Sequence, residues 1–245
     1  MTTTEVTQGN TMTPLHADLL ALLHAMRRAE RSIFAGLSPS VRDAPGTIGA
    51  WSAKDAQAHL AAWRSIEARR LEATVAGGEL PSSDPAPDAP VDEANAHIHE
   101  QRAGLGWDAV EREADDSVAA LAAAIERSSF DALCVCEGTT ASIGANGVNH
   151  AIAHLSDVAR LGASKADFDE FAREVEAILG RGHLPVRDSG VMLYNLACHA
   201  ALSGDLEDAR RLLADAIERR HDLAEVARED PDLAALGPQA RGVTA

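Results

Sequence analysis

Two histidines stand one helical turn apart in Asn149-His150-Ala151-Ile152-Ala153-His154-Leu155, and a third, His59, lies far upstream in Ala58-His59-Leu60-Ala61-Ala62-Trp63. On a helix, positions i and i+4 share a face, so His150 and His154 can grip one cation. A ring from another helix would complete a three-nitrogen face with positions left open, the pattern of catalytic rather than structural metal sites. Neutral imidazoles leave a divalent ion's charge uncompensated, which acidifies a water or thiol beside it. Thiolate attack on an electrophile gives transferase or isomerase chemistry, and hydroxide attack gives hydrolysis; the residues leave both open. The plain alternative is three polar residues on helix faces. No Ser-His-Asp order, phosphate loop or dinucleotide fingerprint competes with the metal reading.

Other residues gain meaning from their spacing to these rings. Asp157 follows His154 by three residues on the same face, where it can orient a ligand imidazole, act as a fourth ligand, or simply face solvent. Trp63 and Glu67 continue the His59 stripe by one and two turns, as pocket wall or as core. Asn95 is either a bundle-interior amide or a surface one. Trp51 reads as packing at a helix entry. Arg64, Arg69 and Arg70 are expected either to meet an anionic thiol or to form a charged solvent face. His97 and His99 are i and i+2, which point apart on a helix, so both are expected at the surface. His16, His24, His183, His199 and His221 show no partner spacing. Cys134, Cys136 and Cys198 lack the spacing of common zinc or redox pairs and read as free thiols, with a peripheral metal or redox role as the alternative.

The elements that must carry these groups are helical. Thr13-Pro14 is a helix start, with Thr as cap and Pro in the first turn. Leu15, Leu19, Leu22, Leu23, Met26, Ile33 and Phe34 then mark a buried stripe ending near Gly36. A loop is expected over 37–49. Ser52-Ala53-Lys54-Asp55 resembles a capping box and opens a second helix running to about Val75. Residues 77–90 hold four prolines and two glycines and form a long connection. A third helix runs from about Val91 toward Ser128, with Gly104-Leu105-Gly106 as its breaking point. Residues 138–147 read as a loop, and the fourth helix carries His150 and His154 to about Gly162. The expected domains are a disordered lead over 1–12, a four-helix bundle over 13–162, a smaller helical domain over 165–237 and a flexible tail over 238–245.

Composition supports an all-α chain. Of 245 residues only eight are aromatic while alanine and leucine abound, so strand formers are scarce. The formal charge of −16 repels phosphate backbones, which argues against nucleic acid as a partner. No apolar run approaches the ~20 residues that cross a bilayer, so no membrane partner is expected. The amino terminus lacks the basic and apolar parts of a signal peptide, and the expected location is the cytoplasm.

Residues 13–162 resemble the DinB/YfiT-like superfamily of metal-binding four-helix bundles. The likeness rests on Trp51-Ser52-Ala53-Lys54-Asp55 followed by His59-Leu60-Ala61-Ala62-Trp63, then His150-x3-His154-Leu155. Glu93-Ala94-Asn95 is similar to the ClbS/DfsB branch. The resemblance implies that His59, His150 and His154 bind a divalent metal, zinc first and nickel or iron otherwise. It also implies a small-molecule substrate and a low-molecular-weight thiol such as mycothiol or bacillithiol. A self-protection protein that holds a reactive small molecule is the alternative. Residues 165–237 resemble a tetratricopeptide repeat through Asn195, Leu196, Ala197, Gly204, Asp205, Ala209, Leu213 and Ala216, although the proline usual near the second helix's end is absent. A lone repeat cannot cover its own faces, so it is expected to pack on the bundle, on a second copy in a homodimer, or on a protein partner. In that last case the chain is an adaptor with an inactive bundle.

Overall fold

The computed structural model describes residues 12–47, 50–77, 90–135, 143–162 and 164–237. All but the last residue of the expected lead over 1–12, the tail over 238–245, all but the end residues of the connection over 77–90, the first half of the 138–147 loop and Cys136 lie outside the described residues. So does the side chain of Cys134.

The architecture is all-helical, and the one β feature among the described residues is the isolated bridge Thr47–Ala50. Helix α1 spans Pro14–Ala35 and opens on a capping box between Thr13 and His16. A short α2, Pro39–Arg42, interrupts what the sequence suggests is loop; Ser38 caps it and Pro39 takes its first position. Helix α3, Ala53–Val75, starts on the reciprocal bonds of Ser52 and Asp55. The expected third helix is two: α4, Val91–Arg102, and α5, Trp107–Arg127, with Gly104 and Gly106 in the break. A short α6, Phe130–Val135, follows. Helix α7, His150–Gly162, is preceded by a π-wound turn over Ala145–Asn149, so the described end of the expected loop is helical. Then come α8, Lys165–Leu179, and α9, Val186–Leu202, with α10, Leu206–Arg219. Helix α11, Leu223–Glu229, and a 3-10 turn, Pro231–Leu236, close the described chain.

Helices α1, α3, α5 and α7 form a closed ring of contacts: α1 packs on α5 and α7, and α3 packs on the same two. Leu22, Leu23, Met26, Leu60, Leu121, Ile125, Ile152 and Leu155 fill the space between them. That core continues without a gap into the carboxy-terminal helices, because α8 lies along α1 and α9 touches α7. Helices α9 and α10 fold back on each other through a turn in which Gly204 takes φ +83°, a region that disfavours side chains. At their crossing Gly190 lets the backbones close up; a Cβ there would lie 3.0 Å from Cβ of Arg220 and 3.2 Å from the carbonyl oxygen of Ala216. No helix among the described residues is long and apolar enough to cross a membrane.

The ring is crossed by a buried polar network that corrects the reading of Arg64. Its guanidinium is neither a pocket cation nor a solvent face: Arg64 is fully buried and donates to both oxygens of Glu30, to Ser117 Oγ at 3.1 Å and to Met26 Sδ at 2.9 Å. Glu30 also accepts from Gln57 Nε2 at 3.0 Å and Arg27 Nη1 at 3.1 Å. Arg27 extends the network to Glu111 and Asp115 on α5. Arg64 lies about a quarter-turn or more round α3 from the stripe that His59 and Trp63 share, and its burial depends on Glu30 from α1.

His199 marks the junction of α7, α8 and α9. Its ring stacks on Phe168 at 3.7 Å between centroids, and Nδ1 pairs with Ser156 Oγ at 2.8 Å. Nε2 faces Ser203 Oγ at 3.3 Å and Asp169 at 3.5 Å. Burial pushes its pKa down to about 4, aided by Lys165 and Arg160 and opposed by Asp169. The unfolded ring takes up a proton near 6.5 and the folded ring only near about 4, so the unfolded chain holds more protons between those values. The stability this neutral ring supports is therefore intact above pH 6.5 and is lost as pH falls through that window, on the order of 3 kcal/mol in total. A His199→Gln variant, compared with wild type by denaturant unfolding at pH 7 and pH 5, is expected to lose less stability between the two. Parallel losses would contradict this assignment.

Candidate metal centre and its cavity

His59 comes from the middle of α3, where Ala58, Ala61 and Ala62 leave room for a ring to turn inward. His150 and His154 come from the first turns of α7. The three rings meet. Nε2 of His150 lies 2.8 Å from Nε2 of His59 and 3.1 Å from Nε2 of His154. All three nitrogens fall within 4.8 Å of one another, and this group can hold a metal ion.

The donor chemistry fits a cation. A neutral imidazole nitrogen carries either one N–H or one lone pair, so Nε2 of His150 cannot satisfy both neighbours by hydrogen bonding. Two nitrogens bound to one zinc-sized ion at ~2.0–2.1 Å stand about 2.9–3.4 Å apart, close to the spacings here. Burial, then the mutual influence of the rings, holds the pKa of His59 down to about 2 and that of His150 to about 3. Burial also lowers that of His154, against the opposing charge of Asp157. All three rings are thus neutral at pH 7 with lone pairs available, the form that ligates.

The cluster forms one wall of an open cavity of about 370 Å³. Trp51, Ser52, Ala53, Ala56, Asn95, Asp157, Val158 and Leu161 complete the lining. Trp51 is more than helix-entry packing: its indole stacks on His154, 5.5 Å between centroids and 11° between planes, and meets His59 edge-on at 4.1 Å. It clamps rings from both helices.

The remaining candidates take distinct places. Asn95 lines the cavity rather than the outer surface. Trp63 does not line it; the indole packs with Ala62, Ile66 and Ile98 and donates from Nε1 to Asn95 Oδ1 at 3.1 Å. An indole nitrogen only donates, so this bond turns the amide oxygen of Asn95 toward Trp63 and leaves its NH2 to donate to a ligand. Glu67 is buried and accepts from Asn146 Nδ2 at 3.0 Å, which ties α3 to the π-wound turn just before His150. Such turns recur at functional sites, and here the turn leads directly into the helix that carries His150 and His154. Asp157 sits on the exposed rim, paired with Arg160 rather than with an imidazole. His97 is half-buried and pairs with Gln101. His99 departs from the surface reading: its ring is parallel to Trp51 at 6.5 Å and Nε2 is buried. Helix α4 lies on α3 with Ile98 buried against Ala62 and Ile66, and His99 follows Ile98 directly.

No protein family, curated protein or solved structure matches the chain.

Proposed function

We propose that this chain is a divalent-metal-dependent enzyme acting on a small electrophilic molecule, with the α1, α3, α5, α7 ring as a DinB-like bundle and the α9–α10 hairpin as a tetratricopeptide-like appendage. The observation that carries the reading is the meeting of three neutral, largely buried imidazoles on the wall of a cavity large enough for a small ligand. When bound, an ion held by His59, His150 and His154 supplies Lewis acidity and acidifies a thiol or water placed beside it. Zinc is the first choice for an all-imidazole donor set. Trp51 holds His59 and His154 in their orientations, and the freed NH2 of Asn95 donates to an oxygen of the substrate. Val158, Leu161 and Trp51 offer it apolar walls.

The cavity's charge narrows the substrate. Among the described residues its lining contains no lysine or arginine, and its one charged group is the rim carboxylate of Asp157, which pairs with Arg160. Beyond the ion itself, an anionic molecule therefore meets no complementary charge among these residues, and a neutral one leaves no charge of its own unmatched. The test is turnover of a model electrophile by zinc-loaded protein with a neutral thiol and with a dicarboxylate thiol of similar reactivity. The neutral thiol is expected to give at least about tenfold higher kcat/KM, since each ~1.4 kcal/mol of differential binding is a factor of ten. Chelator treatment is expected to abolish both rates. Equal rates with and without thiol would remove thiol chemistry, and rates indifferent to chelator would remove the metal reading.

A further inference from the structure

Beside His59 lies a second and much smaller cavity of about 10 Å³. Its walls are Trp51, Asp55, Ala58, His59, Ile98, His99 and Arg102. Three buried polar atoms belonging to these walls have no partner in the protein: Trp51 Nε1, His59 Nδ1 and His99 Nε2. Buried polar atoms are costly to leave unpaired, so three on residues that line one cavity call for a common partner. His99 Nε2 also lies 3.8 Å from Asp55 Oδ2, too far for a direct bond and a spacing at which a bridging water is the first suspect.

We infer that one ordered water occupies this cavity and makes His99 a positioning residue for His59. This inference rests on the metal-site reading for its consequence, though not for the water. The size agrees, since a single buried water needs roughly 10–15 Å³ and two to four polar partners. The donors and acceptors also balance. If Nε2 of His59 faces a cation, the ring's proton sits on Nδ1 and points into the cavity. Trp51 Nε1 can only donate. The water accepts from these two N–H groups and gives its own protons to the Asp55 carboxylate and to Nε2 of His99. Asp55 is in turn anchored by Ser52, whose backbone N–H donates to it at 3.1 Å and whose hydroxyl does so at 2.7 Å. The guanidinium of Arg102, also on the wall, is engaged by Glu113 at 3.0 Å. The result is a chain from the cap of α3 and from α4, through one water, to Nδ1 of His59. Groups that hold the far nitrogen of a ligating histidine set its tautomer and orientation.

Two measurements test this. A crystal structure of the metal-free wild type at a resolution that shows single waters is expected to place one within hydrogen-bond reach of His59 Nδ1 and His99 Nε2; an unfilled cavity in that map overturns the bridge. Cobalt(II) affinity by chelator competition, read with the cobalt absorption spectrum, tests its consequence. His99→Leu is expected to weaken binding about 10–100-fold and to shift the ligand-field bands, and His99→Gln, whose amide still reaches the water, to restore most of both. His99→Leu with wild-type affinity and an unshifted spectrum overturns the positioning role. A wild type that binds no cobalt defeats the metal-site reading and the positioning role together, and the crystallographic water then decides the bridge separately.

Discussion

Replacing His150 by alanine is expected to weaken divalent-metal binding by more than about a hundredfold, beyond the 10–100-fold typical of losing a group that merely supports a ligand. His150 is the ring through which the other two are related: its Nε2 stands 2.8 Å from that of His59 and 3.1 Å from that of His154. Without it the donors left are one ring on α3 and one on α7. Because the ring carries no charge in the folded protein, its removal leaves no unpaired ion, and the fold should survive. Competition against a chelator of known affinity reads the effect, and unfolding in denaturant shows that the variant is folded. Undiminished affinity in a folded variant would mean that the rings meet without ligating.

The second large effect lies in the core. Glu30→Ala removes the carboxylate that accepts from Arg64, Arg27 and Gln57, and leaves the Arg64 guanidinium fully buried with only Ser117 and Met26 as partners. Stripping one member from a buried ion pair typically costs about 3–5 kcal/mol, because the survivor is an uncompensated charge in a poorly solvating interior. For a chain of this size that corresponds to a drop in Tm of about 10 °C. Arg64→Met together with Glu30→Leu, which removes both charges and restores apolar volume, should cost less than the single change. A Glu30→Ala cost below about 1 kcal/mol would show that Arg64 finds other partners or water.

Much of this was legible in the residues, for local reasons. Thr13-Pro14 and Ser52 with Asp55 announce helix starts because caps act within one turn, and both helices begin where those signals stand. The i, i+4 spacing of His150 and His154 gives their shared face without tertiary information. That His59 joins them depends on how α3 packs on α7, and the likeness in the Trp51–Trp63 segment rather than periodicity suggested it. The roles of Arg64, Trp51 and His99 were not legible, since each depends on a partner far away in the chain: Arg64 on Glu30, Trp51 on His154, His99 on the cavity beside His59. The π-wound turn before His150 was hidden for another reason. Gly144 and Gly147 signal a loop locally, and packing overrides them: a Cβ on Gly147 would stand 3.3 Å from Leu121, so the glycine serves close approach within a helical turn.

The most direct test of a single cation shared by His59, His150 and His154 is metal content, determined by elemental analysis after dialysis, for wild type beside His59→Ala. His59 is the candidate ligand from the separate helix, so its loss tests convergence rather than the local pair. The wild type is expected to hold about one divalent ion per chain, as a three-histidine site with an open position does, and the variant far less. A wild type without stoichiometric metal, or a variant that keeps it, would contradict the account.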